Sequence, residues 1–244
     1  MRRMSEEPRT SRIRREVVQL ILDRGLTAGA PLPTETELTR TLGVSRNSVR
    51  EALKALQALD IVEIRHGHGT YVGRASLTPL VDGLTFRTLT RHADGPGALA
   101  EILQVREVLE AGLIHRVAAT VTEAELDELE EVVTRMEAAA RAGEEARGAD
   151  RSFADLDRAF HEALYASLGN DLVPQLLAAF RTVVRQVSGA RGRSHDPSPR
   201  TIARRHRAVV TALRARDAEG AQRALAVHFR GTEARTARRS RGVG

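Results

Sequence analysis

Leu32–Val72 reads LPTETELTRTLGVSRNSVREALKALQALDIVEIRHGHGTYV. Four local signals follow one another along it: a capped helix, a tight turn, a second helix that opens with arginine, and a β-hairpin with a glycine-rich tip. Thr34 stands three residues before Glu37, a Thr-x-x-Glu capping box that satisfies the orphan amides of a helix start reciprocally. Pro33 keeps the chain extended up to that cap. Leu38 and Leu42 then share a face, and Gly43 supplies a left-handed stop. Ser45 is a natural N-cap for the next helix, whose Val49, Ala52, Leu53, Leu56 and Leu59 recur at three- and four-residue steps as an inward stripe. Its wet face carries Arg46, Asn47, Ser48 and Arg50, the positions from which a recognition helix reaches base edges and phosphates. One arginine gripping guanine through two parallel hydrogen bonds is worth about 1–3 kcal/mol of discrimination. The helix amides and Ser48 suit phosphate oxygens. Ile61–Arg65 and Thr70–Val72 flank His66-Gly67-His68-Gly69, a hairpin whose tip needs positive φ. Such a small tip fits a minor groove, with His66 or Arg65 at the backbone or a base edge. Taken singly, an arginine-bearing helix face is usually a solvated surface and a Gly-His-Gly tip a plain turn. Their succession in one run implies a winged helix-turn-helix that holds double-stranded DNA.

Working outward, Leu32-Pro33-Thr34-Glu35, Leu42-Gly43-Val44-Ser45-Arg46, Val49-Arg50-Glu51-Ala52-Leu53 and Gly67-His68-Gly69-Thr70-Tyr71-Val72 resemble the signature of the GntR family of bacterial transcription regulators, over roughly Ile13 to Gly73. The resemblance implies DNA contacts from Arg46, Asn47, Ser48 and Arg50, with His66 and Gly67 at the wing. Thr36 stands where that family commonly has an arginine.

The chain has 244 residues, of which 41% are hydrophobic, enough for two modest globular domains. Its net charge of +6 and pI near 10.8 favour nucleic acid over basic partners. Lys54 is the only lysine, so the excess is arginine, which binds phosphate and carboxylate in bidentate fashion. Without cysteine there are no disulfides, thiolate metal sites or cysteine nucleophiles. No apolar run approaches the roughly 20 residues needed to cross a bilayer. The start Met1-Arg2-Arg3-Met4-Ser5-Glu6-Glu7 has no apolar signal core, so the expectation is a cytoplasmic protein with no membrane partner.

Helical periodicity begins near Ile13, with Val17, Leu20 and Ile21 inward, until Gly25, Gly29 and Pro31 break it. The expected organisation is a winged helix-turn-helix domain at 1–74, a linker at 75–98 with one short helix around Leu80–Leu89, an all-helical domain at 99–235, and a basic tail at 236–244. Within the third part the helices fall at Leu99–Thr120, from Thr122 with a second capping box to Glu125, and at Arg151–Ser167, Leu172–Val187, Pro199–Ala215 and Ala218–Arg235. Gly143–Asp150 is a polar break and Ser188–Ser198 a loop. The fold class is therefore mainly α: a winged helix-turn-helix with a small β-hairpin wing, then an all-α antiparallel helical bundle.

Four ionisable residues sit where apolar ones belong in that bundle. Asp157 and His161, an i, i+4 pair, lie in the stripe Phe153, Leu156, Phe160, Leu164, Leu168. His206 lies in the stripe Ile202, Val209, Val210, Leu213, and His228 beside Leu225 and Phe229. Burying such groups unpaired is costly, so they need partners. Either each histidine is satisfied singly by a carbonyl or acid, or all four converge on a divalent metal such as zinc, nickel, manganese or iron.

Arg106-Glu107-Val108-Leu109-Glu110, Asp157-Arg158-Ala159-Phe160-His161, Gly169-Asn170 and the later His206 and His228 resemble the all-helical ligand-binding FCD domain of the FadR subfamily, over about Leu99 to Arg235. The resemblance implies metal ligation by Asp157, His161, His206 and His228, and a small organic acid effector at Arg106 and Asn170. His195 and His115 have no such match. A metal with open positions beside a guanidinium makes a socket for a carboxylate. Effector binding then alters the spacing of two DNA-binding heads in a homodimer on a near-palindromic operator, the action of a metabolite-responsive regulator or repressor. The rivals are a metal-dependent hydrolase using the Asp/His set, for which Glu162 points off the stripe, and a regulator whose bundle is purely structural.

Overall fold

The computed structural model describes residues 9–91, 97–145, 150–189 and 198–237, with side chains described over 10–91, 97–142, 153–189 and 198–227. The chain divides into two compact units, Met1–Leu80 and Val81–Gly244. Most of the expected Ser188–Ser198 loop, His195 included, most of the tail, the centre of the Gly143–Asp150 break and the side chain of His228 lie outside the described residues.

The first unit holds α1 (Arg9–Asp23), α2 (Glu35–Leu42), α3 (Arg46–Gln57), β1 (Val62–Arg65) and β2 (Gly69–Val72). Ile13, Val17 and Ile21 of α1 pack with Leu38 of α2, Val49, Ala52, Leu53 and Leu56 of α3 and Val62 of β1. The capping box at Thr34 is complete: the Thr34 amide donates to Glu37 Oε2 at 2.8 Å, and the Glu37 amide donates to Thr34 Oγ1 at 3.3 Å. Gly43 ends α2 at φ 63°, and Ser45 Oγ accepts from the Ser48 amide at 3.2 Å to start α3. The strands pair antiparallel from Val62↔Val72 to Arg65↔Gly69.

Three details depart from the pattern. The apolar stripe of α3 stops at Leu56: the helix ends at Gln57 and Leu59 is 45% exposed, because the chain reverses at Asp60 with φ 57°. Leu20 is only half-buried. Ala30–Leu32 adds to the wing, with Leu32 N donating to Thr70 O and Val72 N to Ala30 O, both at 2.8 Å, so the hairpin has a short third partner.

The second unit is built from α5 (Gly97–Thr120), α6 (Glu123–Glu145), α7 (Asp150–Ala166), α8 (Leu172–Gly189), α9 (Pro199–Arg214) and α10 (Ala218–Ala237). In the span 75–98 the helix expected around Leu80–Leu89 is the 14-residue α4 (Thr78–Arg91), longer at both ends, and α5 begins at Gly97. Pro79 falls in the first turn of α4, where its missing amide costs nothing. Further along, Arg87 reaches Glu101 at 2.9 Å. Helix α5 packs on α8 and α10, α6 on α7 and α9, and α9 on α10. Leu126, Leu129, Val133 and Met136 of α6 are fully buried, behind a second complete capping box between Thr122 and Glu125. Among the described residues no helix is long and apolar enough to cross a membrane.

Candidate functional site

Helix α7 sets Asp157 and His161 one turn apart on its buried side, and α9 delivers His206 from the stripe Ala203, Val209, Val210, Leu213. The three meet. His206 Nε2 stands 3.4 Å from Asp157 Oδ1 and 3.5 Å from His161 Nε2, and one ligating atom from each residue lies within 4.8 Å of the others. His161 and His206 are 1% and 2% exposed, while Asp157 is half-buried. Phe160 packs edge-on against both imidazoles.

The protonation of this group follows from its contacts. His206 Nδ1 lies 2.8 Å from the Ile202 carbonyl, which can only accept, so Nδ1 carries the hydrogen and the Nε2 lone pair faces Asp157 and His161. Burial pushes the His206 pKa below its ordinary value against the pull of Asp157, which keeps the ring neutral. Atoms ligating one ion at roughly 2.0–2.2 Å in a tetrahedral arrangement stand roughly 3.3–3.6 Å apart. The separations of 3.4 and 3.5 Å and the inward lone pair fit a divalent cation.

Behind this trio sits Glu110 of α5, fully buried. Its Oε1 accepts from Arg106 Nε; its Oε2 accepts from Tyr165 Oη at 2.7 Å and lies 3.9 Å from His161 Nδ1. Burial and the adjacent Glu110 carboxylate hold the Tyr165 phenol well above its usual pKa, so it remains a donor. Arg106, expected at the effector, is buried and engaged with Glu110. Asn170 is exposed, and its Oδ1 accepts from the Leu172 amide at 3.0 Å, which caps the start of α8 rather than joining the buried group. His115 pairs with Gln222 Oε1 at 3.0 Å, away from the cluster set. Glu162 is exposed.

Sequence reading missed the buried polar group around the trio: Glu110, Tyr165 and Arg181, whose charge lies within reach of Asp157 and Glu110. The signals were present as helix spacing: Glu110 is four residues after Arg106, Tyr165 four after His161, and Arg181 four after the buried Leu177. A cleft of about 300 Å³ between α6 and α9, lined by Glu137, Arg141, Arg200, Arg204 and Arg207, contains none of the trio.

In the first unit, Arg46 and Asn47 are exposed on the opening turn of α3. Ser48 is half-buried, with Oγ 2.9 Å from Ser45 Oγ. Arg50 projects outward with its Nε on Glu35 Oε2 at 2.7 Å. His66 and Gly67 form the exposed wing tip, Gly67 at φ 77°. Arg65 is held by both oxygens of Glu63 and by the Tyr71 ring, 4.2 Å from its centroid.

Comparison with known proteins places residues 9–72 in the bacterial regulatory proteins, gntR family, and residues 101–231 in the FCD domain family. The chain is 28% identical over 221 residues to the HTH-type transcriptional regulator LutR of Bacillus subtilis (strain 168), covering 88% of this chain and 94% of that one. It is 25% identical over 197 residues to the galactonate operon transcriptional repressor of Escherichia coli (strain K12), covering 80% and 82%. It is 29% identical over 223 residues to the HTH-type transcriptional repressor NanR of Cronobacter sakazakii (strain ATCC BAA-894), covering 89% and 81%. Among solved structures, a GntR protein of Streptococcus agalactiae superposes with a TM-score of 0.63 at 26% identity, over 91% of this chain and 98% of that one. These families and relatives are transcription regulators, not enzymes.

Proposed function

We infer that this chain, which belongs to the GntR family of bacterial regulatory proteins and carries an FCD domain, is a repressor whose helical unit senses a small organic acid beside a divalent metal. The observation that carries the reading is the meeting of Asp157, His161 and His206, with the His206 tautomer set by Ile202 so that a lone pair faces the other two. Those residues would hold the ion, with His228 a candidate fourth ligand on α10. A bound ion would supply a Lewis-acidic position for an oxygen of the effector. The buried, neutral His206 imidazole contributes no charge of its own, which leaves the ion's charge to attract an anion.

The first unit supplies the reading head. Arg46, Asn47 and Ser48 at the start of α3 meet bases and phosphates in a major groove, and His66 and Gly67 approach the adjacent minor groove. Arg50 exchanges its ion pair with Glu35 for a DNA contact; the pair is exposed, so breaking it costs at most about 1 kcal/mol. The helical unit pairs with a second copy through α4 and α5. Phe86 is 70% exposed and Val108 68%, with Val105, Leu89 and Leu109 also open, apolar side chains on two helices that a second copy would cover.

The experiment pairs metal content with operator binding. Protein purified without nickel resin should carry about one divalent ion per chain, and Asp157→Ala and His206→Ala should lose it. Each should still bind its own promoter region in a gel-shift assay but fail to respond to effector. Unchanged metal content in both variants rejects the site. Absence of a sequence-selective DNA complex rejects the regulator.

A further inference from the structure

We propose that Arg181 on α8 is the arm that takes the carboxylate of the effector, with both terminal nitrogens on the two carboxylate oxygens. This rests on the reading of the helical unit as an acid sensor and assigns the recognition to a residue outside the Asp/His set and outside the motif of α5.

Among the described residues, the two terminal nitrogens of Arg181 are buried and have no hydrogen-bond partner. A guanidinium cannot discharge itself by losing a proton at any ordinary pH, so a buried one without acceptors is destabilising until something supplies them. The buried acid in its neighbourhood, Glu110, is committed. Glu110 accepts from Arg106 through one oxygen and from Tyr165 through the other. Asp157 turns Oδ1 toward His206. The Arg181 guanidinium shares the field of this group: burial pushes its pKa down, the Arg106 charge adds to that, and Asp157, Glu110 and Tyr165 oppose it. A planar anion with two acceptor oxygens would supply the acceptors that the two terminal nitrogens lack.

The local charge also points to an anion. Arg106 and Arg181 balance Glu110 and Asp157, so this group of side chains is neutral in formal charge, and any divalent ion would make it positive. A carboxylate matches the fork of the two terminal nitrogens in one plane, whereas an ammonium or a neutral sugar would leave the guanidinium unsatisfied. Arg106 has its Nε on Glu110, so it positions Glu110 while Arg181 meets the ligand.

The test uses the full-length, metal-loaded protein with Arg181→Met and Arg181→Lys, and acetate, glycolate, succinate and inorganic phosphate as probes. Three results are expected. Without probe, Arg181→Met melts higher than the wild type with unchanged metal content, because an unsatisfied buried charge is gone. With probe, at least one carboxylate raises the wild-type melting temperature saturably. That carboxylate binds Arg181→Met tenfold or more weakly, with Arg181→Lys intermediate because it keeps the charge and loses the fork. A lower melting temperature of probe-free Arg181→Met, or equal carboxylate affinity in that variant and the wild type, overturns the role of Arg181 and leaves the acid sensor standing. A wild type that responds to phosphate alone overturns the carboxylate assignment. One that keeps its metal but responds to no probe overturns both this inference and the acid sensor.

Discussion

Ile202 contributes only a carbonyl to the centre of the bundle, yet it decides which nitrogen of His206 faces Asp157 and His161. A ring rotated the other way would present N–H to the trio and repel a cation. Nitrogen NMR of the metal-free protein should therefore show His206 neutral with hydrogen on Nδ1; a protonated Nε2 would contradict the assignment. A second single-residue constraint lies under the wing. A Cβ on Gly73 would collide with the Asp60 carbonyl, and this is backbone that cannot swing away. Gly73→Ala should destabilise the first unit by about 1–3 kcal/mol in urea unfolding, from overpacking alone, with little change in the second unit.

At the scale of elements, helix starts are governed by short local devices. Thr122 and Glu125 satisfy each other's amides at the head of α6, so Thr122→Ala should cost about 1 kcal/mol in chemical denaturation. The pairing of α6 with α9 has a titratable clamp: Arg207 Nε binds Glu137 Oε1 at 2.9 Å, and its terminal nitrogen binds Glu137 Oε2 at 3.0 Å and Thr134 Oγ1 at 2.9 Å. Hydrogen bonding from Arg207 holds the Glu137 pKa below its ordinary 4.5. A carboxylate with a depressed folded pKa binds fewer protons folded than unfolded, so its contribution is complete above about pH 4.5 and is lost as pH falls below that. Melting curves between about pH 6 and about pH 3 should thus fall less steeply for Glu137→Gln than for the wild type; parallel slopes would show the clamp to be idle. The clamp is partly open to solvent, so the difference will be modest.

For the whole molecule, removal of a bound ion by a chelator should lower the melting temperature, since an ion that binds only the folded state stabilises it by mass action. Val108→Asp, on the open side of α5, should shift the protein toward monomer in sedimentation and weaken operator binding, because one short reading head holds DNA poorly. A monomeric variant with undiminished operator affinity would contradict the paired-head reading.

The amino-acid sequence by itself determined the elements of the reading head. Caps at Thr34 and Ser45, the stop at Gly43 and the glycines of the wing act over three or four residues, so they are legible without knowing the rest of the fold. It also determined that Asp157 and His161 share one face, because one helical turn separates them. The reach of α4 and the loss of Leu59 from its stripe were less legible, since a proline in a first turn and a reversal at a non-glycine residue are tolerated rather than signalled. Only the tertiary structure decided that His206, 45 residues from His161, comes to the same point, and that Tyr165, 55 residues from Glu110, takes its second oxygen. Among the described residues it alone left the two terminal nitrogens of Arg181 buried without acceptors. Hydrogen-bond partners of buried charges are chosen by which helices pack together, and no local pattern along the chain carries that information.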